Sequence, residues 1–266
     1  MLQVNGISLH VEYEGSGKPV LLLHGWPDSS YLWRNQVPFL VANGFHTITP
    51  DLRGFGRSDR PEGVTAYLLQ NAVADVVGIL DAFDIGAADI VAHDWGAAVA
   101  WFTATAHPDR VHKLVVLSVP HPLAPPTLRQ REMAWYQLFF QFEGIAEAWL
   151  QHDEWALFRH LLRGSGDIDR YIADLSRPGA LTASLNWYRA NLAPRMPGPS
   201  PNLRPVEAPT LGIWSTNDHY LDGERMKISG RFVKRAWRYE QIEGASHHIP
   251  LDAPDRLNHL LVEWLS

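Results

Sequence analysis

The chain has no cysteine, so disulfides and thiolate chemistry are excluded, and the composition is compatible with the cytosol. Nowhere do apolar residues run to the ~18 that a membrane span requires. Residues 1–14 lack the basic region and apolar core of a signal peptide. A cytoplasmic protein is the expectation. Positive charge is also short: 23 Lys and Arg face 29 Asp and Glu, a net charge of −6, with no basic run long enough to follow a phosphate backbone. Nucleic acid and anionic membrane are therefore poor partners. Internal repeats and low-complexity tracts are missing too.

What is present is apolar content, 46% of 266 residues, enough to bury one large core in a single α/β domain with an insertion. Tryptophan (11) and histidine (13) are abundant. His10, His46, His112 and His259 are scattered and read as structural or surface residues.

Residues 88–101, Ala-Asp-Ile-Val-Ala-His-Asp-Trp-Gly-Ala-Ala-Val-Ala-Trp, organise the chain. The apolar run 90–92 gives way at Gly96 to a small-residue helical pattern. Asp94 thus falls at the turn between a strand and a helix, where an open parallel sheet keeps its chemistry. Ala92 and Gly96 leave room for a sharp turn that points Asp94 outward and brings the N–H of Trp95 to the same space. That is a nucleophile elbow with Asp where the motif usually has Ser. Taken alone, an acidic residue before a helix reads as an N-cap.

In chain order, residues 7–14 alternate like a half-solvated edge strand, and 19–23 form a buried strand ending in His24-Gly-Trp-Pro27. Gly25 lets the backbone approach a ligand there, and the loop aims the N–H of Trp26 at the sheet's carboxyl edge. A helix over 28–42 with Pro38 at a kink and a strand over 45–49 follow. The Gly-rich stretch 51–59, with alternating charge, suits a tight loop locked by ion pairs and lacks the lysine and spacing of a P-loop. Helix 65–83, strand 89–93, helix 96–107 and strand 114–119 continue the alternation that a parallel sheet demands. From Pro120 to Pro201 the alternation stops: proline-rich runs open and close a segment of aromatic-rich helical stretches. The reading is a core of residues 1–120 and 202–266 with a helical cap, 121–201, inserted over the carboxyl edge. Strands 210–215 and 237–242 and a closing helix 254–264 complete the core.

Asp218 follows strand 210–215 and His247 follows strand 237–242, giving the chain order nucleophile, acid, base. Asp222 is a rival acid and His248 a rival base; the small residues Gly244-Ala-Ser246 favour His247. A carboxylate nucleophile is already ionised at neutral pH and can open a strained sp³ carbon to form an alkyl ester. His247 is then free to activate the water that cleaves that ester, with the backbone N–H groups of Trp26 and Trp95 as oxyanion hole. Ser8, Ser58 and Ser246 each have Gly two positions before but none two positions after, so no serine elbow exists. His24, His93, His247 and His248 lack ligand spacing, so neither metal nor other cofactor is called for.

On these motifs the sequence resembles an epoxide hydrolase of the α/β-hydrolase superfamily along essentially the whole chain. His24-Gly-Trp-Pro27 is similar to that family's oxyanion loop, whose peptide before the proline is typically cis, and His93-Asp-Trp-Gly96 to its nucleophile motif. Tyr136-Gln-Leu-Phe-Phe-Gln141 and Leu185-Asn-Trp-Tyr188-Arg189 resemble the places where the family carries its two ring-opening tyrosines. By composition alone Tyr136 and Tyr188 are ordinary amphipathic core residues. The cap is short for the family, and His248 stands where such enzymes often have an aromatic residue; these departures bear on substrate preference more than on reaction class. The implied fold is an α/β-hydrolase sheet, mostly parallel and flanked by helices; the implied partner is a small apolar epoxide, with substrate lining expected from Trp26, Trp95, Trp135, Phe139 and Trp187. A homodimer is left open. The competing enzyme is a haloalkane or haloacid dehalogenase, in which the indoles of Trp26 and Trp95 would cradle halide. A binding protein without turnover is the other reading, set against an intact Asp94, His247 and Asp218.

Overall fold

The computed structural model describes residues 1–163, 166–194 and 203–266. β1 (Leu2–Val4) and β2 (Ile7–Leu9) make a small antiparallel ribbon. The main sheet follows with β3 (Val11–Glu14), β4 (Lys18–Leu23), β5 (Phe45–Pro50), β6 (Ala88–His93), β7 (Val111–Leu117), β8 (Thr210–Asn217) and β9 (Trp237–Ser246). Its strand order is β3-β5-β4-β6-β7-β8-β9; β3 runs antiparallel to β5 and every other pairing is parallel. A sheet covered on both faces needs apolar residues on both, which is why its inner strands read as unbroken apolar runs. Leu21, Leu23, Ile90 and Ala92 face one apolar cluster, and Val20, Leu22 and Val91 face the other.

The covering helices are α1 (Val37–Ala42), α2 (Leu69–Ala82), α3 (Trp95–Ala106), five between β7 and β8, and three after them. The five are α4 (Leu128–Met133), α5 (Trp135–Phe139), α6 (Ile145–Leu162), α7 (Ile168–Leu175) and α8 (Ala180–Asn191), and no strand accompanies them among the described residues. α9 (Gly223–Ile228), α10 (Ile249–Asp252) and α11 (Pro254–Leu265) follow. α2 and α3 pack on the first cluster and α1 and α11 on the second. No described helix is long and apolar enough to cross a membrane.

The expected alternation of strands and helices is present, with local departures. Residues 7–14 form two strands instead of one, because the chain parts at His10, whose N–H goes to Ser58 Oγ at 2.9 Å and whose C=O goes to the Asp51 N–H at 2.8 Å. The expected helix over 28–42 is a 3₁₀ turn, Ser30–Asn35, followed by α1, with Pro38 in the first turn where no N–H is needed. That over 65–83 breaks at Leu68, which is extended (φ −59°, ψ 139°). Asn191 at the end of α8 satisfies the break: its amide donates to the Tyr67 C=O at 2.9 Å and accepts from the Leu69 N–H at 3.0 Å. α9 and α10 have no counterpart among the elements expected from the sequence, and the expected closing edge of the cap near residue 201 lies outside the described residues.

The loop 51–59 is not locked by ion pairs of its own. Asp51 accepts backbone N–H groups from Ser30 and Arg57, both at 2.8 Å. Arg53 reaches out of the loop to α2 and grips Asp75 with two bonds, Nε to Oδ2 at 2.7 Å and Nη2 to Oδ1 at 2.6 Å. Both side chains are 4% exposed, so removing one leaves an uncompensated buried charge. Asp75→Ala should destabilise the protein by about 3–5 kcal/mol in denaturant unfolding; a loss below about 1 kcal/mol would show that the pair does not hold the loop to α2.

Candidate active site

Asp94 stands between the end of β6 and the first turn of α3, with φ 50° and ψ −122°. For a residue with a Cβ this conformation is strained by about 1–3 kcal/mol, so the surroundings must hold it. Two glycines do so. A Cβ on Gly96 would strike the carbonyls of Leu23 and His24, and one on Gly25 would strike the Asp94 side chain. The loops after β4 and β6 therefore interlock at backbone distance. Asp94 makes no side-chain cap to α3, so the N-cap reading does not describe it.

Instead, Asp94 Oδ1 accepts the Trp26 N–H at 2.7 Å, and the Trp95 N–H also bonds the carboxylate. The Trp26–Pro27 peptide is cis. Asp94 Oδ2 lies 3.5 Å from His247 Nε2, and His247 Nδ1–H donates to Asp218 Oδ2 at 2.8 Å. Asp218 Oδ1 accepts the N–H groups of Tyr220 and Leu221 at 2.8 and 3.0 Å. The His247 carbonyl in turn accepts His93 Nε2–H at 2.9 Å. Burial pushes the His93 imidazole down to about 3, with the neighbouring His247 charge adding to the effect, so His93 is a neutral strut.

Neither rival residue is shown bonded to the Asp94–His247–Asp218 chain, although His248 borders the small space beside His247. Asp222 caps α9, accepting the Glu224 N–H at 3.2 Å, and takes the Thr127 hydroxyl at 2.6 Å. His248 stacks on Tyr171, with ring centroids 5.9 Å apart.

Charge is concentrated here with little water to screen it. Burial alone would lower His247, but the charge and hydrogen bond of Asp218 and then those of Asp94 override it and push the imidazole up to about 10. Burial would raise Asp94, but the hydrogen bond and charge of His247, helped by His93 and the Trp95 N–H, bring it below the usual carboxylate range. The site at rest is an imidazolium between two carboxylates.

Tyr136 from α5 and Tyr188 from α8 meet edge to face, with centroids 6.0 Å apart and planes at 77°. Tyr188 is hydrogen-bonded to the Trp95 indole, and Tyr136 accepts from Gln137 Nε2 at 3.3 Å. Burial and then, chiefly, the Asp94 charge raise both phenols well above their ordinary range. Both remain protonated donors at any working pH. Asp94, Tyr136 and Tyr188 border two spaces. One is a cavity of about 420 Å³, walled by Leu69, Phe102, Val119, Pro120, Pro122 and Leu192 among others. The other, of about 20 Å³, is bordered by His247 and Tyr220 and has room for roughly one water.

Three expected lining residues are corrected. Trp135, Phe139 and Trp187 border neither space. Trp135 and Phe139 lie four residues apart on α5 with ring centroids 6.4 Å from each other, and Trp135 is 50% exposed. Trp187 is buried against Trp95 and Phe55, its indole donating to the Arg53 C=O at 3.0 Å. The wall combines aliphatic and proline side chains with aromatic and polar ones. The run 120–126, read in the sequence only as a boundary, supplies Pro120, Pro122 and Pro126. Nor do the two indoles form a halide cradle: Trp26 Nε1 donates to Ser184 Oγ at 3.2 Å, whereas Trp95 bonds Tyr188.

A family model described as the alpha/beta hydrolase fold matches residues 18–254. The AB hydrolase superfamily protein YfhM of Bacillus subtilis is 35% identical over 99% of this chain and 96% of its own length. Epoxide hydrolase A of Mycobacterium tuberculosis is 34% identical over 100% of this chain and 96% of its own. Among solved structures, an epoxide hydrolase from Bacillus megaterium in complex with an inhibitor superposes with a TM-score of 0.88 at 26% identity, covering 99% of both chains.

The raised value of His247 has a direct consequence. A histidine lifted by its partners holds its proton up to its folded value, so the His247 imidazolium should persist through pH 8 and be lost as pH rises through about 10. Its ring resonances, followed by NMR, should titrate near neutrality once Asp218→Asn removes the largest raising influence; a wild-type titration near 6.5 would contradict the ion-pair description.

Proposed function

This chain belongs to the α/β-hydrolase fold family, within it to the epoxide hydrolases, and on that premise we propose the route by which it converts an epoxide to a vicinal diol. The observation that carries the route is the carboxylate of Asp94, ionised, strained outward, and bordered by two phenols and an imidazolium.

In the first step an Asp94 oxygen attacks a ring carbon as the C–O bond of the epoxide breaks. The departing oxygen takes a proton from Tyr136 or Tyr188, leaving an alkyl ester on Asp94 and a phenolate. Two influences then favour the same proton transfer. Esterification erases the Asp94 charge that helps to raise His247, and burial makes either phenolate a strong base. The imidazolium therefore returns a proton to the phenolate. His247 becomes neutral, and is a competent base only once the ester exists.

In the second step His247, oriented by Asp218, takes a proton from a water in the small space beside Tyr220. The hydroxide adds to the ester carbonyl carbon of Asp94. The resulting oxyanion sits at the N–H groups of Trp26 and Trp95, which already hold the carboxylate at rest. Collapse releases the second alkoxide of the diol, which takes the proton from His247, and the carboxylic acid left on Asp94 then passes its own proton to His247, restoring the resting imidazolium and carboxylate.

The helices α4–α8 act on this reading as a cap over the sheet, the cap spanning residues 121–201 and the core residues 1–120 and 202–266. Their contribution is to bring the two phenols to the carboxyl end of β6 and to wall off a small apolar epoxide from solvent. The dehalogenase alternative is not supported. The named relatives and structural neighbours support the epoxide hydrolase reading instead, and both indoles are engaged elsewhere.

Turnover of styrene oxide, a trans-disubstituted aryl epoxide, a haloalkane and a haloacid tests the route. Diol should form from the epoxides alone. It should fall by about 10²–10⁴-fold or more in Asp94→Asn and in the Tyr136→Phe, Tyr188→Phe double variant. Halide release without diol, or a double variant as fast as the wild type, would overturn it.

A further inference from the structure

The larger cavity is not uniformly apolar. Besides Asp94, two charged side chains border it: Arg131 on α4 and Arg225 on α9. In a chain of net charge −6 this is an uneven placement, since Asp94 is the one carboxylate among the described lining residues and it faces His247. Neither arginine takes part in an ion pair among the described residues. Asp222, whose charge acts on Arg225, has its oxygens on the Thr127 hydroxyl and the Glu224 N–H.

A bland account exists for each. Arg225 braces the proline-rich run, with Nε and Nη2 on the Ala124 C=O at 3.3 and 2.8 Å, and Arg131 is an exposed charge on a short helix. Bracing uses one edge of the Arg225 guanidinium, however, and leaves Nη1 without a protein acceptor among the described residues. A guanidinium partly withdrawn from water is only weakly screened, and its fork matches a carboxylate. The rest of the wall includes Leu69, Phe102, Val119, Pro122 and Leu192, and its three amides, Gln130, Gln137 and Asn191, are each hydrogen-bonded within the protein.

The geometry points to an anion subsite formed by Arg131 and Arg225, and so to a substrate whose apolar body joins an epoxide at one end to a carboxylate at the other. This inference rests on the epoxide reading above. The carboxylate is held by the two guanidinium groups while the epoxide lies against Asp94, Tyr136 and Tyr188. No bond is made or broken at the subsite, so its effect falls on KM more than on kcat.

The test compares the terminal epoxides of hexenoic and undecenoic acids with those of their methyl esters, which lack the charge and add one methyl group. For the chain that spans the cavity, wild-type kcat/KM should favour the acid over the ester by roughly tenfold. The preference should shrink with added salt and fall toward unity in Arg131→Gln and in Arg225→Gln, while Arg131→Lys keeps part of it. Because Arg225 also braces a loop, the exposed Arg131 is the variant that decides. Equal or better use of both esters by the wild type, or a ratio unchanged in Arg131→Gln, would overturn the subsite and leave epoxide hydrolysis standing. Diol from none of the four compounds would remove the epoxide reading and the subsite with it.

Discussion

A buried imidazolium held between two carboxylates is the constraint on which the rest of this structure depends. His247 has Asp218 at 2.8 Å on one ring nitrogen and Asp94 at 3.5 Å on the other. Three charges in a dry site are costly unless each has its partners, and here each has them. Asp218 takes two backbone N–H groups, Asp94 takes those of Trp26 and Trp95, and His93 fixes the His247 backbone. The proposed chemistry follows from disturbing that balance: neutralising Asp94 as an ester removes one support of the cation and releases a base where water fits.

The fold is arranged to meet this constraint. β6, β8 and β9 run parallel, so Asp94, Asp218 and His247 emerge from the same edge of the sheet. The strain at Asp94 is offset by close interlocking of the loops at Gly25 and Gly96, where a side chain would not fit. The helices between β7 and β8 are tied to the core by polar contacts at separate points. Asn191 bridges the break before α2, and the Tyr171 hydroxyl donates to the buried Asp28 carboxylate at 2.7 Å beside the oxyanion loop. These ties fix where Tyr136 and Tyr188 can stand above Asp94.

Much of this was legible in the sequence because the physics is local. A strand buried on both faces must be an apolar run, and a sharp turn needs small residues on either side, so β4, β6 and the position of Asp94 could be read directly. What escaped reading depends on distant partners. The break at Leu68 is stabilised by Asn191, and Arg53 finds Asp75 rather than a residue of its own loop. α5 is five residues long, too short for periodicity to reveal that Tyr136 faces the cavity while Trp135 and Phe139 do not. Arg131 and Arg225 belong to different short helices and border one cavity only in three dimensions. Between His247 and His248 the sequence offers adjacent candidates one step along a strand end, and only a distance to Asp218 separates them.

The central claim is that catalysis passes through an ester on Asp94 which His247 is needed to cleave. The most direct measurement is the intact and peptide mass of His247→Gln after mixing with an epoxide that the wild type turns over. The account predicts a stoichiometric adduct of full substrate mass on the peptide holding Asp94, formed at a rate comparable to wild-type ring opening and persisting while no diol accumulates. Diol formation without any adduct, or an adduct on another residue, would contradict it.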